Sequence, residues 1–311
     1  MTKYLFLLAI LCIAMYGCPE KVECDYSLSY PYWSKWTEGK FISIVDDSLA
    51  VLSAQKYMTG CKNKEEITVG SLTGLSLVNY RVKQNPLSVD TFIHNFKGDI
   101  QIVDNYFRDS SVLAIDKQNK TFGFLKIGTS SAKFNKYIYS EYYALNNASP
   151  WIDGNVLLKN RTGSAWRTAV LDTKTGQIEQ YDSFKGYEWL NECGDVSSIE
   201  NKIACVKINY ETESVELIID GKVTDAKSLY YSGYGSDQVI FHGSYIIKRV
   251  GEYANEIWKI DTENFKFDND FASIWIGTGN GYRYGFPRFY KDENLKDFVQ
   301  YTYEDLFEAN N

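Results

Sequence analysis

The segment TAVLDTKTGQIEQYD (168–182) shows the pattern that decides the fold of this chain. A short run of strand-forming residues is followed by an Asp, a polar turn and a second such run. An Asp side chain can bond to the backbone two residues further on, which makes it a natural turn opener between two strands. The same pattern occurs in VLAIDKQNKTFGFLKI (112–127), VELIIDGKVTDA (215–226) and EIWKIDTENFKFD (256–268). Each segment therefore predicts a β-hairpin.

The four turn-opening residues are Asp116, Asp172, Asp220 and Asp261, at spacings of 56, 48 and 41 residues. Periods of about 40 to 50 residues with about four strands each are typical of β-propeller blades. Segments 39–82 and 271–303 supply the first and the last unit. At about 45 residues a unit, this part of the chain holds about six blades.

We therefore predict an all-β fold, a β-propeller of about six blades, with five to seven possible, each a four-stranded antiparallel sheet. A pair of β-sandwiches is the alternative. In a propeller the four Asp residues are expected at the same turn of successive blades, on one rim.

The phrase AVLDTKTGQIE (169–179) resembles blades of the quinoprotein-like and lactonase-like propeller families, in which Asp-Thr-x-Thr-Gly links the two outer strands of a blade. KIDTENFKF (259–267) is a weaker copy. The resemblance implies the architecture over about residues 40–305, and it implies no ligand or reaction.

Composition excludes several classes of function. The 311 residues carry a net charge of −7, with 40 acidic and 33 basic side chains. Binding of a nucleic-acid duplex needs clustered Lys and Arg, and no run of four basic residues occurs, so no nucleic-acid partner is expected. The chain has two histidines, His94 and His242, and no Cys-x-x-Cys pair. We therefore expect no metal site and no cofactor.

The N-terminus reads as an export signal. Residues 4–15 form an uninterrupted apolar run after Lys3, which is too short to span a hydrocarbon core of ~30 Å and is typical of a secretory signal. The sequence Met15-Tyr16-Gly17-Cys18 resembles the lipobox of bacterial lipoproteins. That resemblance implies that Cys18 carries lipid and becomes the mature N-terminus, with ordinary signal-peptidase cleavage as the competing interpretation. Pro19, in place of an Asp, favours the outer membrane if the cell has one.

The number of cysteines also supports a location outside the cytoplasm. Without the signal, five cysteines remain: Cys18, Cys24, Cys61, Cys193 and Cys205. If lipid occupies Cys18, the other four can form two disulfides in an oxidising compartment. Three pairings are possible, and we favour Cys24–Cys61 with Cys193–Cys205 because each joins cysteines from the same stretch of chain. The predicted organisation is a signal at 1–17, a lipid-anchored linker at 18–38, the propeller at 39–305 and a tail at 306–311.

The loop GTGNGYRYG (277–285) is the most unusual in the chain. Its spacing departs from the G-x-G-x-x-G of a phosphate cradle. Tyr282, Arg283, Tyr284 and Arg288 place aromatic faces beside cations, which makes them candidates for binding a sugar or a peptide.

The sequence shows no assembled catalytic motif. We therefore predict a lipid-anchored protein of the cell envelope that acts as a binding protein or scaffold for a protein, peptide or glycan partner. The alternative is a carboxylate-dependent glycan hydrolase or lyase on the same scaffold, since the fold itself does not decide between them.

Overall fold

The computed structural model describes residues 22–25, 27–80, 89–96, 100–103, 105–116, 119–129, 133–138, 147–162, 165–181, 184, 186–229, 239–250, 254–271, 274–278, 287–290, 298–300, 302 and 306–307. Within these residues the chain forms 24 strands and two short 3₁₀ turns. The strands assemble into five antiparallel sheets that follow one another along the chain. The predicted all-β fold is confirmed, and the number of sheets lies within the predicted range.

Sheets 1 and 2 come first. Sheet 1 has β1 (Tyr32–Trp33), β2 (Thr37–Ile44), β3 (Leu49–Lys62), β4 (Glu65–Asn79) and β5 (Val89–Phe96), with both β1 and β2 paired to β3. Sheet 2 has β6 (Gln101–Ile102), β7 (Ser111–Asp116), β8 (Thr121–Lys126) and β9 (Phe134–Lys136).

Sheets 3 and 4 are simple four-stranded meanders. Sheet 3 has β10 (Asn147–Pro150), β11 (Val156–Thr162), β12 (Ala165–Leu171) and β13 (Ile178–Tyr181). Sheet 4 has β14 (Asp195–Ile199), β15 (Lys202–Asn209), β16 (Ser214–Ile219) and β17 (Lys222–Ser228).

Sheet 5 is the largest. It has β18 (Val239–His242), β19 (Tyr245–Val250), β20 (Ala254–Asp261), β21 (Lys266–Phe267), β22 (Ile274–Thr278), β23 (Pro287–Tyr290) and β24 (Phe298–Gln300). One edge of β20 pairs with β21 at its end and with β22 at its beginning. Segment 271–303, predicted as a last unit, therefore extends sheet 5 within the described residues and does not start a separate sheet.

The second strand of each sheet is packed on both faces. In β7, Val112 and Ala114 join the apolar cluster shared with sheet 1, and Leu113 and Ile115 join the cluster shared with sheet 3. Successive side chains of a strand point to opposite faces, so this alternation places sheet 2 between its two neighbours. The same alternation continues through β11 and β15 to β19.

An apolar cluster between sheets 5 and 1 closes the ring. Ile44 and Leu52 of sheet 1 pack with Ile247 and Ile257 of sheet 5. Asp47 adds polar contacts across the same junction, because its Oδ1 accepts from the Tyr245 hydroxyl and its Oδ2 from the Lys259 ammonium, each at 2.8 Å. Within the described residues, five sheets packed face to face in a closed ring form the five blades of a β-propeller.

The C-terminal Leu306 and Phe307 are buried in this closing cluster. Phe307 stacks on Trp36 with 5.0 Å between the ring centroids. A Cβ on Gly74 would clash with the ring of Phe307, so the close approach of that ring requires glycine. Both ends of the described chain therefore pack on sheet 1.

The turn-opening Asp residues occupy two kinds of turn. Asp172 and Asp220 follow the third strand of their sheets, and Asp261 is the last residue of the third strand of its sheet. We call this end of the ring the first rim; it also carries the turns after the first strands of sheets 2 to 5 and the turn after β2 in sheet 1. The prediction of one shared turn was wrong for Asp116, which ends the second strand β7 and lies on the opposite, second rim. Asp116 accepts from the Asn119 backbone N–H at 2.9 Å, much as Asp261 accepts from that of Glu263 at 3.0 Å. Such a local bond suits any turn between antiparallel strands, so an Asp in the sequence does not specify which turn of the sheet it occupies.

Buried polar groups join the inner strands. The ammonium of Lys159 on β11 donates to the Asp195 carboxylate on β14 and, at 2.7 Å, to the Val196 carbonyl. The second oxygen of Asp195 accepts from the Phe241 backbone N–H on β18 at 2.8 Å. A buried carboxylate needs such partners to offset its lost hydration, so Asp195 ties sheets 3, 4 and 5 together.

His242 lies at the end of β18 and is fully buried. Burial, with a smaller contribution from the nearby positive charge of Lys159, lowers its pKa to about 3, although a hydrogen bond with the Ile42 backbone acts in the opposite direction. The histidine is therefore neutral in the folded protein at neutral pH. The bond to Ile42 connects sheet 5 to sheet 1.

We expect the propeller to lose stability as the pH falls below 6.5, the ordinary pKa of histidine. Between that pH and about 3 the unfolded chain binds a proton at His242 that the folded chain does not, so unfolding is favoured in this window. At pH 5 the loss from this group is about 2 kcal/mol. The measurement is the free energy of urea unfolding at pH 8 and pH 5 for the natural chain and for His242→Gln. His242→Gln should shrink the difference between the two pH values by about 2 kcal/mol, and an unchanged difference would contradict the assignment.

Candidate functional site

A cavity of about 570 Å³ opens on the first rim, where the turns after the first strands converge. All five sheets contribute to it, through residues such as Val45, Arg108, Pro150, Glu200 and Ser244. We call it the axial pocket. Because no single sheet builds it, the pocket exists only when the ring is closed.

Its walls combine apolar and polar groups. Ile44, Phe107, Pro150 and Ile199 supply apolar surface. The polar groups are the side chains of Arg108, Asp109, Ser198, Glu200, Asn201, Ser244, Tyr245 and Thr262. The volume lies in the range of roughly 300–1,000 Å³ seen for small-ligand sites. The polar residues of the lining outnumber the apolar ones, so the pocket suits a polar ligand.

Two of the turns at the pocket hold unusual backbone conformations. Asp109 and Ser110 have φ values of 51° and 57°, and Glu200 and Asn201 have values of 47° and 60°. Two-residue hairpin turns of this kind prefer Asn-Gly, because side chains other than Asn, Asp and Gly are strained at positive φ. Glu200 is thus held in an unfavourable conformation at the edge of the pocket, and strained residues of this kind cluster at functional sites.

Among the described residues that line the pocket, Arg108 is the one cation. Its Nη1 donates to the Trp151 carbonyl of sheet 3 at 3.2 Å, and its Nε lies 3.8 Å from Oδ2 of Asp109. A guanidinium has five N–H donors, so these contacts fix the group while leaving donors for a ligand. Asp109 is 92% exposed, and this ion pair is therefore weak.

The neighbouring turns are also tied to each other. The Asp153 backbone N–H in sheet 3 donates to Oδ1 of Asn201 in sheet 4 at 2.7 Å. Tyr245, in the wall of the pocket, is held by Asp47, and its burial together with this bond raises the pKa of its phenol. Tyr245 is therefore a neutral donor to Asp47 and is not available as a base.

The structure places some of the residues predicted from the sequence and leaves others outside its described part. Tyr282, Arg283, Tyr284 and Cys18 lie outside the described residues. Arg288 is in β23, opposite Gly277 of β22 and Gln300 of β24. The structure describes only the backbone pairing of Arg288, so its role as a ligand-binding candidate stays a prediction.

The four remaining cysteines form Cys24–Cys61 and Cys193–Cys205, which is the pairing that the sequence argument favours. Their Cα atoms lie 5.9 and 5.7 Å apart. The second bridge is buried between sheets 3 and 4. Two disulfides are typical of proteins outside the cytoplasm.

The pocket residues themselves were missed by sequence reasoning. Arg108, Asp109, Glu200 and Asn201 belong to no motif. The available signal was weak: the two-residue turns Asp109-Ser110 and Glu200-Asn201 sit between strand-like runs. That these turns share one pocket follows from the ring, which is a long-range property.

Within the described ranges, no three His, Cys, Asp or Glu side chains lie close enough together to hold a metal ion. In the same part of the chain, no helix has the length and apolar character needed to cross a membrane.

No protein-family model matches the chain, and a search of curated proteins finds no match. Among solved structures, the chain is similar to the WD40 β-propeller domain of Doa1, at 12% identity and a TM-score of 0.33, over 88% of each chain. It is similar to TolB from Acinetobacter baumannii, at 14% identity and a TM-score of 0.31, over 87% of this chain and 68% of that one. It is also similar to an acylaminoacyl peptidase of Pyrococcus horikoshii, at 12% identity and a TM-score of 0.35, over 88% of this chain and 55% of that one. Scores this low carry no functional argument, and the fold rests on the sheets and clusters described above.

We expect Glu200→Asn to stabilise the protein by about 0.5–1 kcal/mol, because Asn tolerates the positive φ of this turn and Glu does not. The measurement is the free energy of unfolding in urea. Glu200→Gln is the matched control: it removes the charge, keeps the strain and should bring no such gain. Equal gains from both variants, or a loss from Glu200→Asn, would contradict the assignment of strain to this residue.

Proposed function

We propose that this protein is a lipid-anchored, extracytoplasmic β-propeller that binds a polar partner, a segment of peptide or glycan, in its axial pocket. The observation that carries the proposal is the construction of that pocket. Five sheets contribute to it, and strained turns hold a carboxylate, Glu200, at its edge.

The polar groups suggest how a ligand is held. The guanidinium of Arg108 suits a carboxylate or a carbonyl of the ligand, because hydrogen bonds with a charged partner are the strong ones. Asp109 and Glu200 suit hydroxyl, amide or ammonium donors. The apolar surface around Phe107 and Ile199 suits the apolar face of a sugar ring or a side chain.

Binding is favoured over hydrolysis by the exposure of one acid. Glycoside hydrolysis needs a carboxylic acid that remains protonated near neutral pH, and such an acid is normally buried among apolar groups. Asp109 is 92% exposed, so it has no such surroundings. If the protein is instead a hydrolase or lyase, Asp109 and Glu200 are the two carboxylates of the pocket that would carry out the reaction.

The lipid anchor is supported by the cysteines. The structure pairs the four cysteines after Cys18, which leaves Cys18 as the odd one in the mature chain. A lipid on Cys18 accounts for it. Mass spectrometry of the N-terminal peptide from the natural host tests this: a diacylated Cys18 is expected, and an unmodified Cys18 would contradict it.

Arrays of peptides and glycans identify ligands of the purified protein, and calorimetry then gives their affinities. We expect Arg108→Ala and Glu200→Gln each to weaken binding of such a ligand at least tenfold, because each removes a charged hydrogen-bonding group of the pocket. Arg167→Ala is the control, since Arg167 is an exposed residue of β12 and lies outside the pocket.

Ligands that bind the Arg108→Ala variant as tightly as the natural chain would contradict the proposal. If the natural chain cleaves a glycan of the array, and the Asp109→Asn or Glu200→Gln variant does not, the enzyme alternative would be established in its place.

A further inference from the structure

Sheet 1 carries an extension that the other four sheets lack in their described parts. β3 and β4 have 14 and 15 residues. β2 pairs with β3 only as far as Gln55, and β5 pairs with β4 only from Ser71 onwards. Residues 56–70 therefore continue beyond the sheet as a two-stranded hairpin, which we call the arm.

The N-terminal segment is fastened to this arm. The Cys24 backbone N–H donates to the Lys64 carbonyl, and that of Glu66 donates to the Val22 carbonyl, each at 3.0 Å. The disulfide from Cys24 to Cys61 adds a covalent link. β1 then pairs along the other edge of the arm.

One face of the arm is covered by this segment. Cys61 and Glu66 lie directly opposite each other and therefore share a face. Cys24 forms its disulfide with Cys61, and the hydroxyl of Tyr30 donates to the carboxylate of Glu66. The side chain of Tyr32 lies on the same face, with its hydroxyl 3.5 Å from Glu66.

The other face is apolar and open. Trp33 lies opposite Met58, and Ile67 lies opposite Gly60, whose missing side chain leaves room for Val69. Trp33, Ile67 and Val69 are 38%, 37% and 42% exposed. Of the nine exposed large apolar side chains in the described residues, five lie on the arm or on the segment fastened to it, the other two being Val22 and Leu28.

We infer that this open face rests on the surface of the lipid bilayer. The inference uses the proposed anchor at Cys18 and does not depend on what the pocket binds. Cys24 lies six positions after Cys18, so the lipid and the arm are at most about 20 Å apart. The disulfide makes the arm, and no other part of the propeller, the point where the tether is attached.

The chemistry of the face fits the headgroup region of a membrane. A Trp beside aliphatic residues is typical of that region, where the ring has both apolar and polar neighbours. The turn at the tip carries the exposed Lys62 and Lys64, which suit anionic headgroups, although Glu65 lies opposite Lys62. Isolated exposed apolar residues need no explanation, whereas a cluster beside a membrane anchor does.

This arrangement orients the whole molecule. The tip of the arm and the turn that leads into the axial pocket lie at opposite ends of β3. A strand of 14 residues spans up to about 45 Å. With the arm on the membrane, the axial pocket faces away from it, towards partners in the surrounding space.

A thiol-labelling experiment tests the inference. The four cysteines of the propeller are in disulfides, so Val69→Cys introduces a single free thiol into the lipidated chain. The chain is placed in dilute phosphatidylglycerol–phosphatidylethanolamine vesicles. Its reaction with a water-soluble maleimide is compared in solution with that of Cys18→Ser/Val69→Cys, expressed without the predicted signal and therefore without Cys12. We expect at least tenfold slower labelling on the vesicles. Val223→Cys, exposed on sheet 4, is the control and should react equally fast in both forms.

Equal labelling of Val69→Cys on vesicles and in solution would overturn the inference, as would slow labelling already in solution, which would indicate a second copy on this face. If the chain carries no lipid, the proposed anchor fails separately. The vesicles are then added to Cys18→Ser/Val69→Cys: slower labelling would still support docking of the arm, and an unchanged rate would overturn it.

Discussion

The structure depends on one packing constraint: the second strand of every sheet presents apolar side chains on both faces. In β11, Val156 and Leu158 face sheet 2 while Leu157 faces sheet 4. A sheet of this kind cannot be left at the end of a row, because one apolar face would remain in water at a cost of about 25 cal/mol for each Å². Closure of the ring, with sheet 5 against sheet 1, removes that exposed face.

Polar contacts then select one arrangement of the ring. Burial of apolar surface is non-directional, whereas the bonds from Tyr245 and Lys259 to Asp47, and from Lys159 and Phe241 to Asp195, are directional. The same closure creates the axial pocket, so the element that stabilises the fold also builds the candidate site. The arm and the N-terminal tether lie at the other end of sheet 1, away from that pocket.

Local features could be predicted from the sequence, and long-range ones could not. The hairpins, the all-β class and the pairing of nearby cysteines depend on residues close together in the chain. The position of Asp116 was mispredicted because an Asp turn looks the same after a second strand as after a third. Segment 271–303 reads as a further blade, yet β22 pairs with the free edge of β20. The pocket residues Arg108 and Glu200 lie 92 residues apart in the sequence, and the ring alone brings them together.

The central claim is that five sheets close into a ring, and a distance between the first and the last sheet tests it most directly. Spin labels on Ser48→Cys, in a turn of sheet 1, and on Glu263→Cys, in a turn of sheet 5, report that distance by pulsed electron paramagnetic resonance. The chain carries Cys18→Ser and is expressed without the predicted signal, so that Cys12 takes no label. Neighbouring packed sheets lie about 10 Å apart, so a closed ring predicts a narrow distribution near 20 Å once the label arms are included. An open row of five sheets would separate the labels by about 40 Å or more, and a distribution centred there would contradict the account.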